Sequence, residues 1–298
     1  MNCQLEGRLV QDRIDEMDRF GRSHIYHRMR CLLEGERRDA LDLVNHGLAM
    51  VDDVLDSVSN PLEYLGQIQD ILKRSFSGAT IETSTPEKQA VADLGSVLSK
   101  LTSARFPNLA DRAIGKHTYL EVLNYWKAEA ENLQRRGQIL DSEALNKLTT
   151  DVGSLVASQF LFILDYPSDP YAFIQLAKTY GLAVKLADNL CDFRKDIQKG
   201  FVNIPREEIH HVGGIKVIGN KVTQIEPDKL TLDAEYMRCE YERVQQMFKS
   251  AERLLLKAGL RHPVWDKKSA GRLDLFNQFC RTWLNQTSEF VITETARI

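Results

Sequence analysis

The chain has few cysteines, no long apolar run and almost no net charge, and each shortage closes off a class of function. Its five cysteines, Cys3, Cys31, Cys191, Cys239 and Cys280, stand singly. They have neither the C-x-x-C spacing of a zinc or redox site nor the even number of a disulfide framework, and they read as reduced thiols of a cytoplasmic protein. No apolar stretch approaches the ~18 residues that cross a bilayer, and the charged opening "MNCQLEGRLVQDRIDEMDRF" lacks the apolar centre of a signal peptide. The sequence thus predicts no transmembrane segment and, at most, peripheral membrane contact. With 39 basic residues against 42 acidic ones, a formal charge of −3, composition gives no reason to expect a nucleic-acid partner. The seven histidines show no H-E-x-x-H spacing, and His210 and His211 read as loop residues. "GGIKVIGN" lacks both the lysine of a phosphate-binding loop and the strand-to-helix setting of a dinucleotide site.

What the sequence does have is helical periodicity. Apolar positions recur at helical rather than strand spacing, with proline and glycine mostly between the runs. Helices are predicted over Arg37 to Val58, Pro61 to Ser75, Pro86 to Ser103, Asn108 to Arg135, Ser142 to Leu164, Asp169 to Gln198, Pro227 to Ala258 and Lys267 to Glu289. In "DYPSDPY", Ser168 or Asp169 is placed to cap a helix with Pro170 at its first position. One segment, "GGIKVIGNKVTQIEP", alternates around Gly219-Asn220 and predicts a small β-hairpin near residues 215–225. No stretch has the composition of a linker, so residues 1–298 are expected to form one all-α domain. "RRDALDL" and "LQRRGQ" read as solvated basic helix ends.

Two aspartate-rich stretches stand out. In "VDDVLDS", Asp52 and Asp56 are four apart, so on a helix they point the same way about 6 Å apart along the axis, with Asp53 turned aside. In "LADNLCDFRKDIQKGFVNIP", Asp188, Asp192 and Asp196 repeat that spacing and line one face. Like charges at this spacing destabilise a helix by a few tenths of a kcal/mol per pair unless a cation relieves them. Apolar neighbours (Val51, Val54, Leu55; Leu186, Leu190, Phe193) imply that both helices pack closely on others, whereas a solvated acidic face would be polar throughout. Among the aspartates of the second stretch stand Arg194, Lys195 and Lys199, candidates to neutralise that surface or meet an anion. Mg²⁺ typically takes one or two carboxylates, waters and phosphate oxygens, so facing carboxylate clusters suit a diphosphate held through divalent ions.

These stretches resemble the two aspartate-rich motifs of the squalene and phytoene synthases. "VDDVLDS", entered through "RRDALDLVNHGLAMVDD", is similar to the first. "GLAVKLADNLCDFRKDIQKGFVNIPREEI" is similar to the second, with Gly181, Ala183, Leu186, Asp192, Asp196, Gly200 and Pro205 in register, and "TTDVGSLVASQF" resembles the family's helix of small residues between them. The likeness spans roughly Ser23 to Ile209 and is weaker beyond. It implies an isoprenoid-synthase helical bundle around a central cavity, with a trinuclear Mg²⁺ and diphosphate assembly. By the resemblance, Asp52, Asp56, Asp192 and Asp196 are the leading metal and catalytic candidates, supported by Asp53 and Asp188; Lys185, Arg194 and Lys195, basic groups the likeness does not supply, are candidates for the diphosphate.

The departures point to a particular activity. The family's arginine ahead of the first aspartate is Ala49 here, the one before Asp192 is Cys191, its glutamine is Lys185, its Gly-Arg is Gly200-Phe201 and a tyrosine is Leu148. Several of these positions serve a second substrate in head-to-head coupling. Retained aspartates without them imply an enzyme that ionises one linear allylic diphosphate, of ten to twenty carbons, and rearranges or cyclises the carbocation. Phe160, Phe162, Phe276, Phe279 and Trp283 are candidate wall residues, although spacing alone reads each as core. The alternatives are head-to-head condensation of two prenyl diphosphates and a catalytically silent helical scaffold.

Overall fold

The computed structural model describes residues 20–55, 57–102, 109–164, 170–261 and 267–296. Asp56 and the Ser168/Asp169 cap lie outside them. The helices are α1 (Arg22–Cys31), α2 (Gly35–Asp42), α3 (Leu48–Leu55), α4 (Pro61–Phe76), α5 (Pro86–Thr102), α6 (Leu109–Gln134), α7 (Ser142–Leu164), α8 (Pro170–Cys191), α9 (Phe193–Gln198), α10 (Ala234–Arg261) and α11 (Lys267–Thr295). The fold is all-α, as the periodicity predicts. Local chemistry sets several starts. Asn60 accepts the Glu63 N–H ahead of Pro61, Asp141 accepts the Ala144 N–H at 2.9 Å, and Asp233 accepts those of Glu235 and Tyr236 at 2.8 and 3.2 Å.

Three predicted helices are not single pieces. The one expected over Arg37 to Val58 begins at Gly35, widens into a π-helical turn over Leu43–Gly47 and stops at Leu55. The inserted turn shifts the phase of everything after it. The helix expected through Gln198 breaks at Asp192, whose φ of −94° and ψ of 9° leave the α region, although its N–H still reaches the Asp188 carbonyl at 2.9 Å. The helix expected from Pro227 starts at Ala234, because Pro227–Lys229 is a 3₁₀ turn and Thr231–Leu232 pairs as a strand. Helix α1 was not predicted, since its apolar positions are few.

The expected hairpin is present: β2 (Ile215–Ile218) pairs antiparallel with β3 (Lys221–Ile225), and Gly219 turns with a φ of +63°. A second ladder, β1 (Val212–Gly213) on β4 (Thr231–Leu232), encloses it. Two residues per strand gave no alternation to read.

Helix α7 packs against both α6 and α8. The α7 to α8 approach is closest where Gly153 faces Gly181, since a Cβ on either would overlap the other's carbonyl group. Phe160 stacks on Phe279 at 5.9 Å, Phe279 meets Trp283 at 5.2 Å and Tyr180 meets Phe276 at 5.3 Å, which joins α7, α8 and α11 in one aromatic core. Among the described residues no helix is long and apolar enough to cross a membrane.

Candidate diphosphate and metal site

A cavity of about 220 Å³ opens at one end of the bundle. Asp52 and Leu55 reach it from α3; Tyr125, Glu129 and Asn132 from α6; Leu148, Thr149 and Val152 from α7; Lys185 and Asn189 from α8; Lys195 and Asp196 from α9. Arg135, just past α6, and Phe201 and Asn203, on the strap after α9, complete the wall. Stretches far apart in sequence thus place Asp52 and Asp196 around one hollow.

The polar wall is a connected network. Asn203 donates to Asp196 at 2.7 Å and accepts from Arg135 at 2.5 Å. Arg135 also donates to the Val202 carbonyl at 3.0 Å and to Asn132 at 2.8 Å, and Asn132 donates to Glu129 at 3.3 Å. Burial lowers the Arg135 guanidinium to about 10, against the pull of Asp196 and Glu129. Burial likewise raises the Glu129 carboxyl, opposed by Lys185, Asn132 and Arg135. Across the cavity, Lys185 donates to Asp188 at 2.7 Å. Burial works against its ammonium, but Asp188, Asp196 and Glu129 outweigh that and hold its pKa above the usual lysine range. Tyr125 donates to Asp52 at 3.1 Å. Burial first, and then Asp52, Glu129 and Asp188, raise this phenol and keep it protonated.

Asp196 is held against an unfavourable environment. Burial, with Asp188 and Asp192 beside it, pushes its carboxyl up to about 6 despite Lys185 and Asn203. The Asn189 Oδ1, buried on the same wall, has no hydrogen-bond partner. Under-compensated carboxylates and an orphaned amide oxygen form a hard oxygen donor set, and these residues fit Mg²⁺.

The other predicted residues divide. Lys195 lines the cavity and stands 3.9 Å from Asp192. Asp53 is exposed. Arg194 turns away, donating to the Leu230 carbonyl at 3.1 Å and to Glu294 at 2.5 Å, so it braces α9 against α11 and the β1/β4 ladder. The reading of "LQRRGQ" and "RRDALDL" as solvated ends is corrected. Arg135 is buried on the cavity wall, and Arg37 donates to the carbonyls of Ile163 and Leu164 at the end of α7. The five candidate wall aromatics sit in the core and not among the residues that line this cavity.

Sequence reading missed Tyr125, Glu129, Asn132, Arg135, Asn189 and Asn203. The signal for the first three was a polar stripe at i, i+4 and i+7 on α6. At the family's departures, Leu148 lines the cavity, and the phenol there is instead Tyr125. The buried Phe201 carries the Arg136 guanidinium 4.9 Å from its ring centroid and that of Arg135 at 5.8 Å. Cys191 is a neutral thiol pushed up to about 12 by burial, 3.7 Å from Thr287.

No family model and no curated protein matches this sequence. Solved structures do match in fold. Linalool/nerolidol synthase from Streptomyces clavuligerus, in complex with 2-fluorogeranyl diphosphate, aligns with a TM-score of 0.61 over 93% of this chain and 91% of that one, at 17% identity. A cucumene synthase variant aligns with a TM-score of 0.50 over 87% and 83%, at 11% identity. At such identities the fold is what is shared. The chain has the all-α fold of terpene synthases, and the narrower resemblance to squalene and phytoene synthases is not singled out by these two structures.

Proposed function

We propose that the chain is a Mg²⁺-dependent class I terpene synthase that ionises one linear allylic isoprenyl diphosphate of ten to twenty carbons. The observation that carries this reading is that Asp52 and Asp196, from separate motifs, share one cavity wall with Lys185, Lys195 and Arg135 in this fold. Asp52, Asp188, Asp192 and Asp196, with Asp56 by the resemblance, are the residues that would hold the ions. The bound ions supply positive charge to the departing diphosphate.

The chain's own groups do the rest. Lys185, Lys195 and Arg135 orient the diphosphate as its allylic C–O bond breaks and both electrons leave on oxygen. Tyr125 holds Asp52 in place through its hydrogen bond. Leu55, Leu148, Val152 and Phe201 border the polar wall with apolar surface, which limits water around the carbocation until it cyclises or rearranges and loses a proton.

Incubation with geranyl, farnesyl and geranylgeranyl diphosphates and Mg²⁺, followed by mass analysis and diphosphate assay, tests this. We expect consumption of one of them to a product with the substrate's carbon number. Asp52→Ala and Asp192→Ala should each lower kcat/KM by about 100-fold or more. A product with twice the carbons would establish head-to-head coupling instead. If neither substitution changed Mg²⁺-dependent release or binding, the scaffold reading would replace both.

A further inference from the structure

Beyond the strap that walls the cavity, Arg206–His211 forms a short 3₁₀ helix. On such a helix positions i and i+3 eclipse, so Glu208 and His211 stand together, with His211 Nε2 3.2 Å from a Glu208 carboxylate oxygen. The His210 ring packs on that of His211 with centroids 4.0 Å apart. One ligand atom from each of the three residues lies within 4.8 Å of the other two. A tetrahedral ion with bonds of about 2.1 Å needs ligand atoms about 3.4 Å apart. The Glu208 to His211 pair already has that spacing, and His210 reaches it by a side-chain shift of order 1 Å.

Each Nδ1 has an oxygen from outside the cluster near it, within hydrogen-bond reach for His210 and beyond it for His211. His211 Nδ1 is 3.7 Å from an Asp233 oxygen, and that carboxylate is fixed by the N–H groups of Glu235 and Tyr236. His210 Nδ1 is 3.2 Å from the Glu207 carbonyl oxygen. Metal-binding imidazoles characteristically ligate through one nitrogen and donate the other N–H to a carboxylate or carbonyl. A solvated ion pair accounts for Glu208 and His211; His210, whose ring packs on that of His211, adds a third ligand atom within 4.8 Å of both.

We propose that Glu208, His210 and His211 form a binding site for a divalent transition metal of the zinc class, separate from the carboxylate cavity. Two imidazoles and one carboxylate select such an ion over Mg²⁺. All three ligands lie on the one 3₁₀ helix, and Asp233, ahead of α10, would act on the ion only through His211.

The test is calorimetric titration of the full-length chain with Zn²⁺ in a large excess of Mg²⁺, with Co²⁺ absorption as a spectroscopic readout. We expect one saturable site per chain and the visible bands of tetrahedral Co²⁺. His210→Ala and His211→Ala should each weaken binding at least about tenfold, and Asp233→Asn, which keeps the helix cap, by about 10- to 100-fold. His210 is exposed, so its variant should keep the parent's circular dichroism. Absence of saturable Zn²⁺ binding would overturn the site. So would binding that survives both histidine substitutions and is lost in Asp52→Ala, which would place the ion in the carboxylate cavity.

Discussion

Asp196 makes its own environment measurable. Its folded pKa is raised from an ordinary 3.8 to about 6, so between those values the folded chain holds a proton that the unfolded chain has released. Stability contributed by this group therefore falls as pH rises through that window, and the loss is complete above about 6. At 1.36 kcal/mol per pKa unit the ceiling is roughly 3 kcal/mol, less whatever solvent at the cavity mouth screens. Thermal melts of the metal-free chain and of Asp196→Asn should converge near the acid end of the window and separate above it, with the variant more stable. Glu207 and Asp233, whose pKa values are lowered by hydrogen bonds, act oppositely but equally in both proteins. Parallel melting curves would mean that Asp196 is not the group under strain. At this scale an i, i+4 aspartate pattern marks a face. Of the predicted aspartates, Asp52 and Asp196 are among the residues lining the cavity and Asp53, Asp188 and Asp192 are not, and nothing in "LQRRGQ" tells the buried Arg135 from the exposed Arg136.

The elements place these side chains through close approaches and interruptions. Gly153 and Gly181 let α7 and α8 meet backbone to backbone, which brings Lys185, one turn beyond Gly181, to the cavity beside Thr149. A methyl group there has no room. Gly153→Ala should lower stability by about 1–3 kcal/mol in urea unfolding and weaken diphosphate binding with it, because the α8 wall must move outward. Gly66, exposed on α4 with nothing near its missing Cβ, is the control: Gly66→Ala should raise stability by about 0.5–1 kcal/mol. The small-residue helix was legible from sequence as a likeness, while its contact with Gly181 was not. The π turn at Leu43–Gly47 and the break at Asp192 were invisible because each preserves apolar spacing on either side while shifting the phase between.

Across the whole molecule, the cavity is a charge system assembled from five helices and a strap. If it takes a diphosphate through divalent ions, Mg²⁺ and inorganic diphosphate together should raise the melting temperature well beyond either alone. A hundredfold excess over the dissociation constant corresponds to about 2.7 kcal/mol. Asp52→Ala should remove the synergy, and an equal shift with diphosphate alone would point to the lysines and Arg135 as a metal-free anion site.

Much of the architecture follows from local rules. Apolar residues at helical spacing give the helices, Gly219-Asn220 gives the hairpin, and two aspartate patterns mark where charge must be compensated. None of these rules says which neighbour a helix face meets. Arg194 lies inside the second motif and pairs with Glu294, whereas Arg135 lies outside both motifs and joins the cavity. Periodicity fixes direction within an element. Crossing geometry, phase shifts and burial fix which directed groups converge, and those arise only when the helices pack.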